Sequence, residues 1–221
     1  MTAFTTTVFL WSSDDEDFLP SFLQIPFPKL RKWAVRLQFT GKKGHTVDLK
    51  RKTIEWMKLE NGQWKLYIAK TEKGLCYVSS PGEAFENFES QLGKRFPAAE
   101  LSQNSQALEP YANELNNYFN GTKQSFSLPV DIKGTPFQEE VWQALKEIPY
   151  GRTMSYSEIA ASINRPSAVR AVGTAIGANP LLITVPCHRV IGKNGAITGY
   201  RGGLELKQFL LELENEKARI Q

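Results

Sequence analysis

The chain of 221 residues holds only two cysteines, Cys76 and Cys187, and two histidines, His45 and His188. Two thiols cannot build a disulfide framework, and their spacing matches no zinc motif. Two histidines exclude a multi-histidine metal site. No apolar run approaches the roughly 20 residues that cross a bilayer. The acidic cluster from Asp14 to Asp17, close behind a short apolar start, leaves no basic n-region of a signal peptide. The expectation is a soluble, cytoplasmic protein of a reducing compartment, without membrane association, metal or other cofactor.

Charge is present in both signs, with a formal net of +4. Residues 1–56 carry nine Lys/Arg against six Asp/Glu, and the remainder eighteen against seventeen, so the bulk of the chain is not basic. Residues 151–201 differ: Arg152, Arg165, Arg170, Arg189, Lys193 and Arg201 face a single acid, Glu158. Such a stretch suits a polyanionic partner such as nucleic acid, although an ordinary solvated face has the same composition.

Composition divides the chain into three. Residues 1–56 join an apolar start, the acidic cluster, the proline-bearing QIPFPK and a basic run, with a candidate strand at Trp33 to Phe39. They read as an extension of uncertain order. Residues 57–133 read as a small α+β domain. Trp64 to Ala69 and Leu75 to Val78 make a hairpin, and a helix is expected to open at Pro81 with Phe85, Phe88, Leu92 and Phe96 at helical spacing. A second helix spans Ser105 to Phe119 and stops at Gly121, and a strand is expected around Phe126 to Ile132. Cys76, in an apolar strand, reads as inert core.

Residues 134–221 are mostly helical in pattern. Thr135 and Pro136 form an N-cap and first position, followed by the apolar stripe Phe137, Val141, Leu145 and Ile148. Ser155 and Glu158 make a capping box. After a break at Asn164 to Pro166, the segment SAVRAVGTAIGA gives another helix, closed by Asn179 and Pro180. Two short helices joined by a tight turn are the helix-turn-helix pattern, which also occurs as a plain packing unit. The second of these is nearly bald. Its interior glycines cost on the order of 1 kcal/mol each against alanine, so its backbone is expected to lie close to something, another helix or the floor of a groove. Its one long side chain is Arg170, a guanidinium that can stack and carry charge.

The stretch ITVPCHRV, residues 183–190, concentrates chemical potential: Cys187 follows Pro186 and precedes His188 and Arg189. An imidazole or cationic field near a thiol favours the reactive thiolate. Adjacency in sequence is not a hydrogen bond, and spacing alone leaves a buried structural cysteine as an equal reading.

PCHRV at 186–190, NGAITGYRGGLELK at 194–207, and the preceding FQEEVWQAL, PYGRTMSYSEIA, AVRAVG and ANP together resemble the C-terminal domain of the O6-alkylguanine-DNA alkyltransferases. The resemblance covers about residues 134–215 through specific motifs. Residues 62–132 are similar to the family's less distinctive N-terminal domain, and residues 1–56 match nothing in it. It implies an α+β protein, a ribonuclease H-like N-terminal domain followed by a winged helix-turn-helix-like domain. The implied function is DNA repair, in which O6-alkylguanine is flipped out of double-stranded DNA and its alkyl group moved irreversibly, once per molecule, to the protein's own cysteine.

Residue by residue, the resemblance makes Cys187 the acceptor, His188 its base through a water, Glu214 the carboxylate that orients His188, and Tyr156 the acid for the leaving guanine O6. Arg170 would take the vacated place in the base stack, with Ala171, Tyr156, Arg189 and Arg201 also on DNA. Asn179 would be the hinge between the groove-reading helix and the thiol segment, and Val190 and Tyr200 walls of the base pocket. The expected partner is duplex DNA carrying the lesion, and the expected state a monomer. A noncatalytic lesion sensor of similar fold lacks the cysteine that Cys187 supplies. A helix-turn-helix regulator would share the DNA-reading pattern, but the cysteine-rich metal module of adaptive-response regulators is missing. A thiol hydrolase would turn over.

Overall fold

A computed structural model describes residues 52–219; the candidate strand at Trp33 to Phe39 lies outside the described residues. Four strands form one sheet. Strands β1 (Thr53–Asn61), β2 (Trp64–Thr71) and β3 (Gly74–Val78) are a meander of antiparallel neighbours, and β4 (Glu100–Gln103) runs parallel to β1. Helix α1 (Phe85–Arg95) precedes β4 and α2 (Ser105–Phe119) follows it. Period-two alternation splits the buried residues between two faces. Ile54, Ala69, Cys76 and Tyr77 pack with Phe88 and Leu92 of α1. Leu59, Leu66, Ile68 and Leu75 join Leu108, Leu115 and Tyr118 of α2 and continue into the core of the helical region.

Three expectations need correction. The boundary at Met57 cuts through β1, whose first residues pair with β4 and bury Ile54 to 1 % exposure. Helix α1 starts at Phe85, four residues after Pro81, because Gly82 takes a positive φ of 68° and Glu83 turns back to accept from the Ser80 amide at 3.0 Å. Residues 126–132 form only an isolated parallel bridge, Leu75 with Val130. Pro129 accepts from the Leu75 amide through its carbonyl but has no N–H with which to extend a ladder.

The helical region comprises α3 (Pro136–Lys146), α4 (Tyr156–Ser162), α5 (Val169–Gly177) and α6 (Leu204–Arg219), with two short strands, β5 (Met154–Ser155) and β6 (Val190–Ile191), paired in parallel. The two expected capping boxes are formed, Thr135 with Gln138 and Ser155 with Glu158. The turn from α4 to α5 passes through Asn164 at φ 58°, a residue type that tolerates the left-handed region. Trp142 of α3 donates its indole N–H to the Ala175 carbonyl at 2.8 Å, fixing α5 against α3. Gly151 sits at φ 72° with α6 so close that a Cβ there would lie 2.6 Å from that of Ala218. This approach places α6 against the thiol segment. No helix among the described residues is long and apolar enough to cross a membrane.

Because β1 begins before Met57, a chain of residues 57–221 should melt lower than one of residues 52–221. Loss of a buried Ile alone costs about 2 kcal/mol or more, so the drop should exceed about 4 °C for a protein of this size. Superimposable thermal transitions would show that Thr53 to Trp56 contribute nothing to the sheet.

Candidate active site

Cys187, His188 and Arg189 form a single 3-10 turn after Pro186, and Val190 continues into β6. The approach to this turn is tight, with Ile183 at φ 71°. A β-branched residue in that region stores on the order of 1–3 kcal/mol, so the path to the thiol is held by its surroundings. Pairing of β6 with β5 matches Met154 to Val190 and Ser155 to Ile191, which brings Tyr156, the first residue of α4, to the same site.

Cys187 is 3 % exposed. Asn179, at the end of α5, donates its side-chain amide to Cys187 Sγ at 3.1 Å and to the carbonyls of Leu181 and Val185, and its oxygen accepts from the Leu181 amide. Burial pushes the Cys187 thiol above its ordinary value; the Asn179 hydrogen bond and the charges of Arg201 and Lys207 oppose this.

His188 turns away from Cys187. Its Nε2 lies 2.6 Å from Glu214 Oε1, while Nδ1 is buried without a protein partner among the described residues. Burial pushes the imidazole below its ordinary value, and the hydrogen bond and charge of Glu214 oppose this; with Nε2 facing the carboxylate, the neutral tautomer that fits donates Nε2–H and has its lone pair on Nδ1. Glu214, 1 % exposed, also accepts from Arg189 Nε at 2.9 Å, the Gly151 amide at 2.9 Å and the Tyr118 hydroxyl. Burial raises this carboxyl, but its hydrogen bonds and the charges beside it outweigh burial and bring it down to about 2.

Several expected roles do not survive this geometry. Arg189 is buried, and its guanidinium is spent on Glu214, the Ile148 carbonyl and Tyr118; it is a structural cation and cannot contact DNA. Arg201 donates to the Asn179, Val78 and Pro180 carbonyls and to the Tyr77 hydroxyl, so most of its guanidinium donors are spent inside the protein rather than on a phosphate. Val190 is fully buried and absent from the cavity wall; its carbonyl accepts from Lys207 Nζ at 2.5 Å.

Two participants were missed. Lys207 is buried beside the site, its ammonium donating to the carbonyls of Val190 and Thr198, and burial brings it down to about 8. Tyr118 reaches the carboxylate from α2. The signal for Lys207 was its place on α6, three and seven residues before the buried Leu210 and Glu214. Tyr118 continues the α2 stripe three residues beyond Leu115 with a polar tip.

Cys187 opens onto a cavity of about 350 Å3, lined also by Tyr156, Gly173, Ile176, Gly177, Gly199, Tyr200 and Arg201. The Tyr156 hydroxyl is 3.4 Å from the Thr198 carbonyl. The two glycines of α5 meet little inside the protein. A Cβ at Gly177 would have nothing within 4 Å, and one at Gly173 would meet only the Tyr156 ring at 3.8 Å. Their bare surface faces outward, on the helix that leaves Arg170 and Ala171 exposed. Among the described residues no cluster of His, Cys, Asp and Glu could hold a metal ion.

Residues 136–216 match the DNA binding domain of 6-O-methylguanine DNA methyltransferase, and residues 58–132 its ribonuclease-like domain. The inducible methylated-DNA–protein-cysteine methyltransferase of Bacillus subtilis is 54 % identical over 168 residues, 76 % of this chain and 94 % of that protein. The crystal structure of O6-methylguanine methyltransferase from Mycobacterium tuberculosis superposes with a TM-score of 0.65 at 38 % identity, covering 75 % of this chain and 94 % of that one. The crystal structure of Mycobacterium tuberculosis OGT in complex with DNA gives 0.63 at 36 % identity, over 74 % of this chain and 94 % of that one.

The Glu214 shift sets a pH dependence. A carboxyl that falls from 4.5 to about 2 on folding contributes roughly 3 kcal/mol above pH 4.5, lost as pH falls towards 2. Glu214→Gln should therefore unfold more easily at neutral pH and lose less stability between pH 5 and pH 2 than the parent. Parallel stability curves from denaturant titrations would refute the assignment.

Proposed function

The chain belongs to the O6-methylguanine DNA methyltransferase family, DNA repair proteins that move an alkyl group from DNA to a protein cysteine, and on that premise we propose that Cys187 is its acceptor. The observation that carries this is one buried thiol and one tyrosine lining the same cavity beside a bald helix, with the adjacent His188 held by a buried carboxylate. Cys187 Sγ attacks the sp3 carbon on guanine O6, forming a C–S bond as the C–O bond breaks. The thiol proton passes through a water to His188 Nδ1, and the developing imidazolium is stabilised by Glu214 through Nε2. The electron pair released to guanine O6 is met by the proton of Tyr156, without which the base leaves poorly as an anion. The resulting thioether does not hydrolyse, so one chain repairs one lesion.

Delivery of the base is the second half. An alkylated guanine in a duplex is shielded, and reaching the thiol of a cysteine that is itself buried requires flipping it into the cavity. The bare α5 suits a minor groove roughly 6 Å wide, and Arg170, exposed on that helix, would fill the gap in the stack. Asn179 ties α5 to the sulfur, and Tyr200 walls the cavity. The partner is duplex DNA carrying O6-alkylguanine, bound by a monomer in the cytoplasm.

Cys187→Ser should abolish transfer while leaving duplex affinity within a few-fold, because phosphate and groove contacts supply most of the binding; Cys76→Ser should leave activity intact. Transfer by the Cys187→Ser chain in a single-turnover assay would exclude the thiol as acceptor. Arg170→Ala should slow repair of duplex DNA far more than reaction with free O6-benzylguanine, which needs no extrusion, whereas Tyr156→Phe should slow both. Equal slowing of both substrates by Arg170→Ala would place that residue in the chemistry.

A further inference from the structure

Helix α5 joins the thiol segment at three residues, Ala178, Asn179 and Pro180. Each of their consecutive carbonyls is taken by a donor from outside the junction. The Ala178 carbonyl accepts from Arg95 Nη2 at 3.0 Å, and the Asn179 carbonyl from Arg201 Nε at 3.1 Å. The Pro180 carbonyl accepts from the Val78 amide at 2.9 Å and Arg201 Nη2 at 3.2 Å. Arg95 is the last residue of α1, and Val78 ends β3.

Arg201 is itself bolted to that sheet. Its Nη2 also donates to the Val78 carbonyl at 2.8 Å, its Nη1 to the Tyr77 hydroxyl at 3.2 Å, and the guanidinium lies 5.2 Å from the Tyr77 ring centroid. Its own carbonyl accepts from Ser80 Oγ at 2.8 Å. A single cation would suffice to satisfy the last carbonyls of a short helix. Two partly buried guanidiniums accept desolvation and mutual repulsion, which together push Arg95 below its ordinary value. What the second one adds is geometry, since a planar fork fixes several acceptors at once.

The junction transmits that geometry to the reacting atom. Asn179 has its carbonyl on Arg201 and its side-chain amide on Cys187 Sγ, so a shift of one displaces the other. We infer that Arg95 and Arg201 are positioning residues that clamp the Ala178 to Pro180 junction to the sheet, and so set how α5 and the DNA on it are presented to Cys187. This rests on the reading of α5 as the DNA-facing helix. Arg201 also lines the cavity, so Arg95, which does not, is the cleaner probe.

The test is single-turnover transfer from a duplex bearing O6-methylguanine, at saturating DNA, beside reaction with free O6-benzylguanine. The unmodified chain must first react with both; its inertness would overturn the functional reading itself, before the clamp is in question. Arg95→Ala should then slow the duplex reaction on the order of tenfold, as expected for a small misplacement remote from the chemistry. Duplex affinity and the free-base rate should each change less than about threefold. Arg95→Lys should restore the duplex rate, because an ammonium can serve one carbonyl, and Arg201→Lys should not restore what Arg201→Ala loses. Should Arg201→Ala fail to fold, Arg95→Ala decides alone. Equal slowing of both substrates by Arg95→Ala, or slowing of neither, would overturn the clamp.

Discussion

A carboxylate that is 1 % exposed is the constraint on which the site depends. An unpaired charge at that depth would cost several kcal/mol, and Glu214 is paired from every side. Arg189 neutralises it, His188 and Tyr118 donate to it, and the Gly151 amide completes the set. These donors come from α2, from the turn after α3 and from the thiol turn itself. Satisfying one buried ion therefore assembles the elements around Cys187 in register. Burial, with the charge of Arg189 beside it, pushes the His188 imidazole below its ordinary value.

The thiol is governed by the opposite balance. Burial disfavours its ionisation, and the Asn179 amide with two nearby cations recovers only part of the loss. The resting sulfur is thereby shielded, and the cavity beside α5 is the opening onto it. A protected thiol thus lies beside a helix whose glycines are bare.

Local chemistry in the sequence foretold local structure well. Thr135 and Ser155 cap their helices as the residue types demand, and α2 occupies the span its stripe predicts. The glycines of α5 suggested close approach by another helix or a groove, and within the protein they meet almost nothing, so no neighbouring helix accounts for them. What sequence could not express is where long side chains end. Arg189 and Arg201 sit in a basic stretch that looks made for phosphate, yet both are consumed by buried acceptors up to 124 positions away. Lys207 was hidden for the converse reason, a charge on the buried face of an amphipathic helix. The start of β1 was missed because Thr53 to Trp56 acquire their meaning only from pairing with β4, more than 40 residues on.

The account requires that the sulfur of Cys187, and no other atom of the protein, ends as the acceptor. Intact-mass and peptide analysis after incubation with excess duplex containing O6-methylguanine addresses this directly. One added methylene per chain, confined to the peptide bearing Cys187 and not increasing with longer incubation, is the predicted result. An unmodified chain accompanied by continued loss of lesion, or modification at Cys76, would contradict it.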